Sequence, residues 1–177
     1  MRDVSSKNDR MIQRLRTQTE TIRTLIALPE GQLQAISPVS AWSAGQHLDH
    51  LLKVARAIMD HVVKPDGAVL PKGVNFVGRM VLTTGWIPRG RGKAPEKLRG
   101  AVATHEELVA ALDRLVTMIG QIPLETLTRQ KRATVPHPRF EALTPFQGLH
   151  FVVIHTGHHL RIVQEVLAAG KKAPALA

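Results

Sequence analysis

The sequence contains no cysteine and no tyrosine. Without cysteine there is no disulfide framework, cysteine zinc finger or catalytic thiol, so any thiol chemistry must take its sulfur from a substrate. Aromatic residues are only 3% of the chain, and β-rich domains draw heavily on them, so their scarcity favours helices. They are also too few to build stacking platforms for single-stranded nucleic acid, and no helix-turn-helix pattern is present. No run approaches the roughly 18 to 20 apolar residues of a membrane span, so no membrane partner is expected. The first stretch, MRDVSSKNDRMIQRLRTQTE, lacks the apolar centre of a signal peptide, and a cytoplasmic protein is expected. Acids are scarce as well. Against 24 Lys and Arg stand 14 Asp and Glu, a formal net charge of +10. That balance bears on solubility and on encounters with anions, not on fold.

What is present is a chain of 177 residues, 44% hydrophobic and 21% charged, which predicts one globular domain over 1–177. It is long enough to bury a core unaided, with 1–7 and 171–177 expected as loose tails. Hydrophobic periodicity predicts a first helix from Asn8 to Ala27, ended by Pro29 and Gly31. Ser43 is a fitting N-cap for a second helix, Ala44 to Val63, with Leu48, Leu51, Leu52, Ala55, Met59 and Val62 on its apolar face and Pro65-Asp66-Gly67 as its stop. A long connection follows to Gly100, containing one short helix, Val74 to Thr83. The third helix spans Ala101 to Gln121, capped by Thr104 or begun near Leu98. His137-Pro138 favours an extended turn between Thr134 and Leu143. The last helix opens on Thr144-Pro145, and Gly170 is its natural stop. Together these predict an all-α fold, a four-helix bundle with a long connection after its second helix.

The chain has nine histidines, a high number for its size. On a wheel of the last helix, Leu149, Val153, Thr156, Leu160, Val163 and Leu167 form the core stripe. His155 and His159 lie beside it, flanked by Val152 and Val166, while His158, Arg161, Gln164 and Glu165 fall on the polar side. Residues at i and i+4 stack one turn apart, so two imidazoles at this spacing can reach one metal ion. The second helix offers a third ligand next to its apolar face, either His47 or His50. His61, His105, His137, His150 and His158 read as surface or structural residues.

Two stretches carry a family resemblance. Ala41-Trp-Ser-Ala-Gly-Gln-His-Leu-Asp-His50-Leu resembles the Trp-Ser start of the second helix in the DinB/YfiT-like superfamily of metal-dependent enzymes. His137-Pro-Arg-Phe-Glu-Ala-Leu-Thr-Pro-Phe-Gln, followed by His155-Thr-Gly-His-His159-Leu-Arg, resembles that family's loop and H-x-x-x-H last helix. The resemblance runs from about Leu25 to Leu167 and is closest to a branch without an assigned function. It implies a four-helix bundle, commonly dimeric, with metal ligands at His50, His155 and His159, the spacing from Trp42 deciding for His50 over His47. One departure is Glu141, where the family often has Gly.

The resemblance implies one divalent ion per chain, zinc or nickel, and either hydrolysis or transfer involving a low-molecular-weight thiol. Three neutral histidines leave coordination positions open, which suits catalysis better than structure. No carboxylate is placed as a general base, since Asp49 and Glu165 both point away from the histidine strip, so no catalytic acid or base is named. The loop from Trp86 to Arg99 holds Arg89, Arg91, Lys93, Lys97 and Arg99 against Glu96. It is a second candidate region, able to attract an anionic or thiol-bearing small molecule, with Trp86 expected to pack the loop down. The rival readings are a metal-binding or dimeric scaffold without turnover, and a basic nucleic-acid-binding protein. A homodimer is expected.

Overall fold

The computed structural model describes residues 2–64, 67–90, 94–127 and 129–172. It is mostly helical, with one small two-stranded sheet. The long helices are α1 (Arg2–Ile26), α3 (Ala44–Val62), α5 (His105–Gly120) and α7 (Pro145–Lys172). Short helices α2 (Glu30–Gln34), α4 (Phe76–Thr84) and α6 (Leu124–Leu127) lie between them. A 3₁₀ turn covers Glu96–Leu98, and strands β1 (Val135–His137) and β2 (Glu141–Leu143) form an antiparallel hairpin. Each of α1 and α3 packs against both α5 and α7, and the α3–α7 contact is the most extensive.

The caps explain where the helices begin. Ser43 accepts a hydrogen bond from the Gln46 backbone N–H, and the Gln46 side chain accepts one from the Ser43 N–H, closing a capping box. Thr104 and Glu107 repeat the device at α5, and Thr144 and Gln147 do so at α7. The third long helix therefore starts at His105, not near Ala101 or Leu98, because the Thr104 cap holds an extended backbone. The core side chains are those the periodicity selects. Leu15 and Ile22 of α1, Leu48, Leu51 and Met59 of α3, Leu112 and Leu115 of α5, and Leu149 and Val163 of α7 are all buried. Each such side chain contributes about 1.5–3 kcal/mol relative to exposure.

Several boundaries differ from the sequence reading. α1 begins at Arg2, since residues 2–7 contain neither Pro nor Gly to stop it. α7 runs through Gly170 to Lys172, and Gly170 does not take the left-handed backbone of a helix stop. Residues 173–177 and the expected helix stop at Pro65-Asp66 lie outside the described residues. The segment around His137-Pro138 is a hairpin, closed by a three-residue turn after which Glu141 has φ 69°. A three-residue hairpin commonly places a left-handed residue at this point, usually Gly, which accounts for the family's preference there. No helix among the described residues is long and apolar enough to cross a membrane.

Candidate metal centre

Two helices bring the predicted ligands together. His50 projects from α3, and His155 and His159 project one turn apart from α7. One ligand nitrogen from each lies within 4.8 Å of the other two. The ring centroids of His50 and His155 are 5.1 Å apart, those of His50 and His159 4.7 Å, and those of His155 and His159 4.5 Å. His50 and His159 are buried, and His155 is at most partly exposed.

Each ring is held from outside the cluster. His50 Nδ1 donates to the Leu98 carbonyl, which leaves Nε2 facing its partners. That carbonyl belongs to a connector clamped onto α3. The Ala101 backbone N–H donates to Asp49 at 2.8 Å, and Lys53 donates to the same carboxylate oxygen at 2.6 Å. Gly100 makes the clamp possible, because a Cβ there would lie 2.2 Å from the Gln46 carbonyl oxygen. His155 packs against Phe151, which meets Phe140 and His137 of the hairpin edge-on. His137 Nδ1 accepts from the backbone N–H groups of Arg139 and Phe140, so its role in the turn is structural. Trp42, just before α3, sets its ring 5.1 Å from His50 and 5.4 Å from His47.

The electrostatics keep these imidazoles neutral. Burial is the largest cause for every one of them. His155 is held well below the ordinary histidine value, first by burial and then by His50, His158 and His137. His159 is also strongly lowered, by burial and then by its histidine neighbours. His50 is lowered by burial against the opposing pull of the Leu98 carbonyl and Asp49. His47 falls to about 4, chiefly through burial and then through His50, His158 and Arg89. A neutral imidazole is the form that donates a lone pair to a metal. Three such nitrogens within 4.8 Å of one another form a donor set compatible with a metal site.

Other residues depart from expectation. His158 is buried and not on an exposed polar side, its ring set edge-on against His159. On the same helix Glu165 is bound bidentately by Arg89 at 2.6 and 2.7 Å. Trp86 does not pack the loop down: it is 59% exposed, and the Arg89–Glu165 pair does the anchoring. Arg99 pairs with Glu96 at 3.5 Å, while Arg91 and Lys93 lie outside the described residues. Asp49 and Glu165, the carboxylates weighed as bases, are both engaged by cations. His47 was an open alternative to His50. The structure instead sets it against His159, Nδ1 to Nδ1 at 3.0 Å. Its place three residues before His50 was the signal available in the sequence.

In comparison with known families, the family model of the DinB superfamily matches residues 13–163. No curated protein and no solved structure matches the chain.

Proposed function

The chain belongs to the DinB superfamily, and from that premise we propose that it is a metal-dependent enzyme, a hydrolase or low-molecular-weight-thiol transferase. Its residues His50, His155 and His159 would hold one divalent ion, zinc or nickel. The observation that carries the reading is the convergence of three neutral imidazoles from α3 and α7 within 4.8 Å. Such an ion supplies Lewis acidity toward a carbonyl, or activation of a water or a thiol. The chain's own residues supply the rest. Trp42 and Phe151 set their rings against His50 and His155 and wall the cluster. The substrate class proposed is an anionic or thiol-bearing small molecule; Arg89, although paired with Glu165, lies near enough for its charge to be felt at His47 and His158.

The packing of α1 and α3 against α5 and α7 supports a four-helix bundle with its long connection after the second long helix. The exposed apolar side chains Phe76, Val77 and Met80 of α4 support association as a homodimer. A second reading, a metal-binding scaffold without turnover, is favoured by the engagement of both Asp49 and Glu165 in ion pairs. Nucleic-acid binding has less support, since Arg89 and Arg99 of the basic loop are paired with acids.

Protein loaded with zinc or nickel is the material for the test, assayed on model esters and amides and on a small thiol offered with an electrophile. Turnover that disappears in His155→Ala supports the enzyme. Full metal loading with no turnover on any of these substrates supports the scaffold.

A further inference from the structure

His47 is 4% exposed, and both of its ring nitrogens are engaged. Nδ1 lies 3.0 Å from Nδ1 of His159, and Nε2 lies 2.9 Å from Oγ of Ser40. The Ser40 hydroxyl oxygen also accepts from the Trp42 backbone N–H at 3.1 Å. Trp42 in turn rests its ring against His47, so this imidazole has little freedom to turn away.

Two neutral imidazoles meeting Nδ1 to Nδ1 share one proton, and two arrangements satisfy the contact. In the first, His159 carries the proton on Nδ1 and donates to His47. His47 then carries its own proton on Nε2 and donates to Ser40. In the second, every donor and acceptor is reversed: Ser40 donates to His47 Nε2, His47 donates to His159 Nδ1, and His159 keeps its proton on Nε2. Only the first leaves a lone pair on His159 Nε2, the nitrogen not occupied by His47. His50 has no such choice, because the Leu98 carbonyl can only accept.

We infer that His47, backed by Ser40, is a positioning residue for the metal centre: it accepts the Nδ1 proton of His159 and so selects the tautomer whose Nε2 binds the ion. This rests on the three-histidine reading above and deepens it. The contact to His159 occupies Nδ1 of His47, which excludes that nitrogen as a fourth ligand. It also links the ion to the loop before α3, since loading the centre fixes the direction of donation through His47 to Ser40. Outer partners of metal-bound histidines act in this way by fixing the ring and raising its basicity.

The test uses the full chain and zinc alone, with affinity read by competition against a chromogenic chelator. His47→Ala is expected to weaken zinc binding about 10- to 100-fold. His47→Gln, whose side-chain oxygen can still accept from His159, is expected to recover most of that loss, which a merely space-filling role for His47 would not require. A second measurement reads the ring nitrogens of wild type by nitrogen-15 spectroscopy. In the zinc-bound protein His159 should be protonated on Nδ1 and His47 on Nε2. Folded His47→Ala that binds zinc as tightly as wild type overturns the inference while leaving the three-histidine site standing. A proton on His159 Nε2 in the zinc-bound state overturns it as well, and this holds even if His47→Ala fails to fold. Wild type that binds no zinc in this assay, nor nickel or manganese when each is offered in its place, removes the site and the inference together.

Discussion

The histidine face of α3 and α7 and the basic loop of residues 86–99 both stand out in composition, yet the fold treats them differently. The histidines sit on regular helices whose caps and apolar faces fix their rotation, so side chains more than 100 residues apart arrive at one point. Among the described cations of the loop, Arg89 pairs with Glu165 and Arg99 with Glu96. One region concentrates a single chemistry, and the other disperses its charge into exposed pairs. Periodic elements preserve a pattern through folding, whereas loop charges find whichever acid lies near.

Gly100→Ala should test that contrast most severely. A Cβ at this position meets the Gln46 carbonyl at 2.2 Å, so the connector must lift and the Leu98 carbonyl must leave His50. The expected cost is about 1–3 kcal/mol of stability, measured by denaturant titration, with metal affinity down about 10-fold or more in a chelator competition. Unchanged affinity would show that the connector does not orient His50.

The pH dependence of stability separates the two regions next. His47, His137 and His158 are held at about 4 in the folded protein, mainly by burial, while an unfolded chain titrates them near 6.5. Below pH 6.5 the unfolded state takes up protons that the folded state refuses. Stability of the metal-free protein should therefore be level above about pH 6.5 and fall as pH drops towards 4. Thermal melts from pH 8 to pH 4 would show it, and a flat profile would contradict the burial of these neutral rings. The Arg89→Ala variant should show a somewhat shallower fall, since the Arg89 charge is one of the lesser causes that lower His47 and His158.

Smaller effects test the supporting parts. Glu141 holds φ 69°, a left-handed conformation costing an L-residue roughly 1–2 kcal/mol. Glu141→Gly should raise stability by about 1 kcal/mol, visible as a shifted denaturant midpoint, without changing metal affinity. Arg89→Ala at pH 7 should leave the denaturant midpoint almost unchanged, because both partners are near half-exposed and screened by solvent. A larger loss would mean that the loop, like the helices, is part of what holds the histidines.

Much of this architecture is legible in local sequence. The Ser43, Thr104 and Thr144 caps, the apolar stripes, and the His155/His159 pair each depend on residues within a turn or two of one another. What is not legible depends on contacts between distant segments. Nothing near His50 announces the Leu98 carbonyl, and nothing near Gly100 announces how closely it must approach Gln46. Nothing near Glu165 announces that Arg89, 76 positions earlier, binds it, nor does the polar side of the wheel announce that His158 is buried. The hairpin at 135–143 was read only as an extended turn, since three-residue strands carry too little alternation to register.

The central claim is that His50, His155 and His159 hold a metal ion, and elemental analysis of untagged protein beside a His155→Ala/His159→Ala variant tests it most directly. The account predicts about one zinc or nickel per chain in the wild type and none in the folded variant. Wild-type protein without metal, even after reconstitution with zinc, nickel and manganese, would contradict it and leave these histidines as neutral residues of the core.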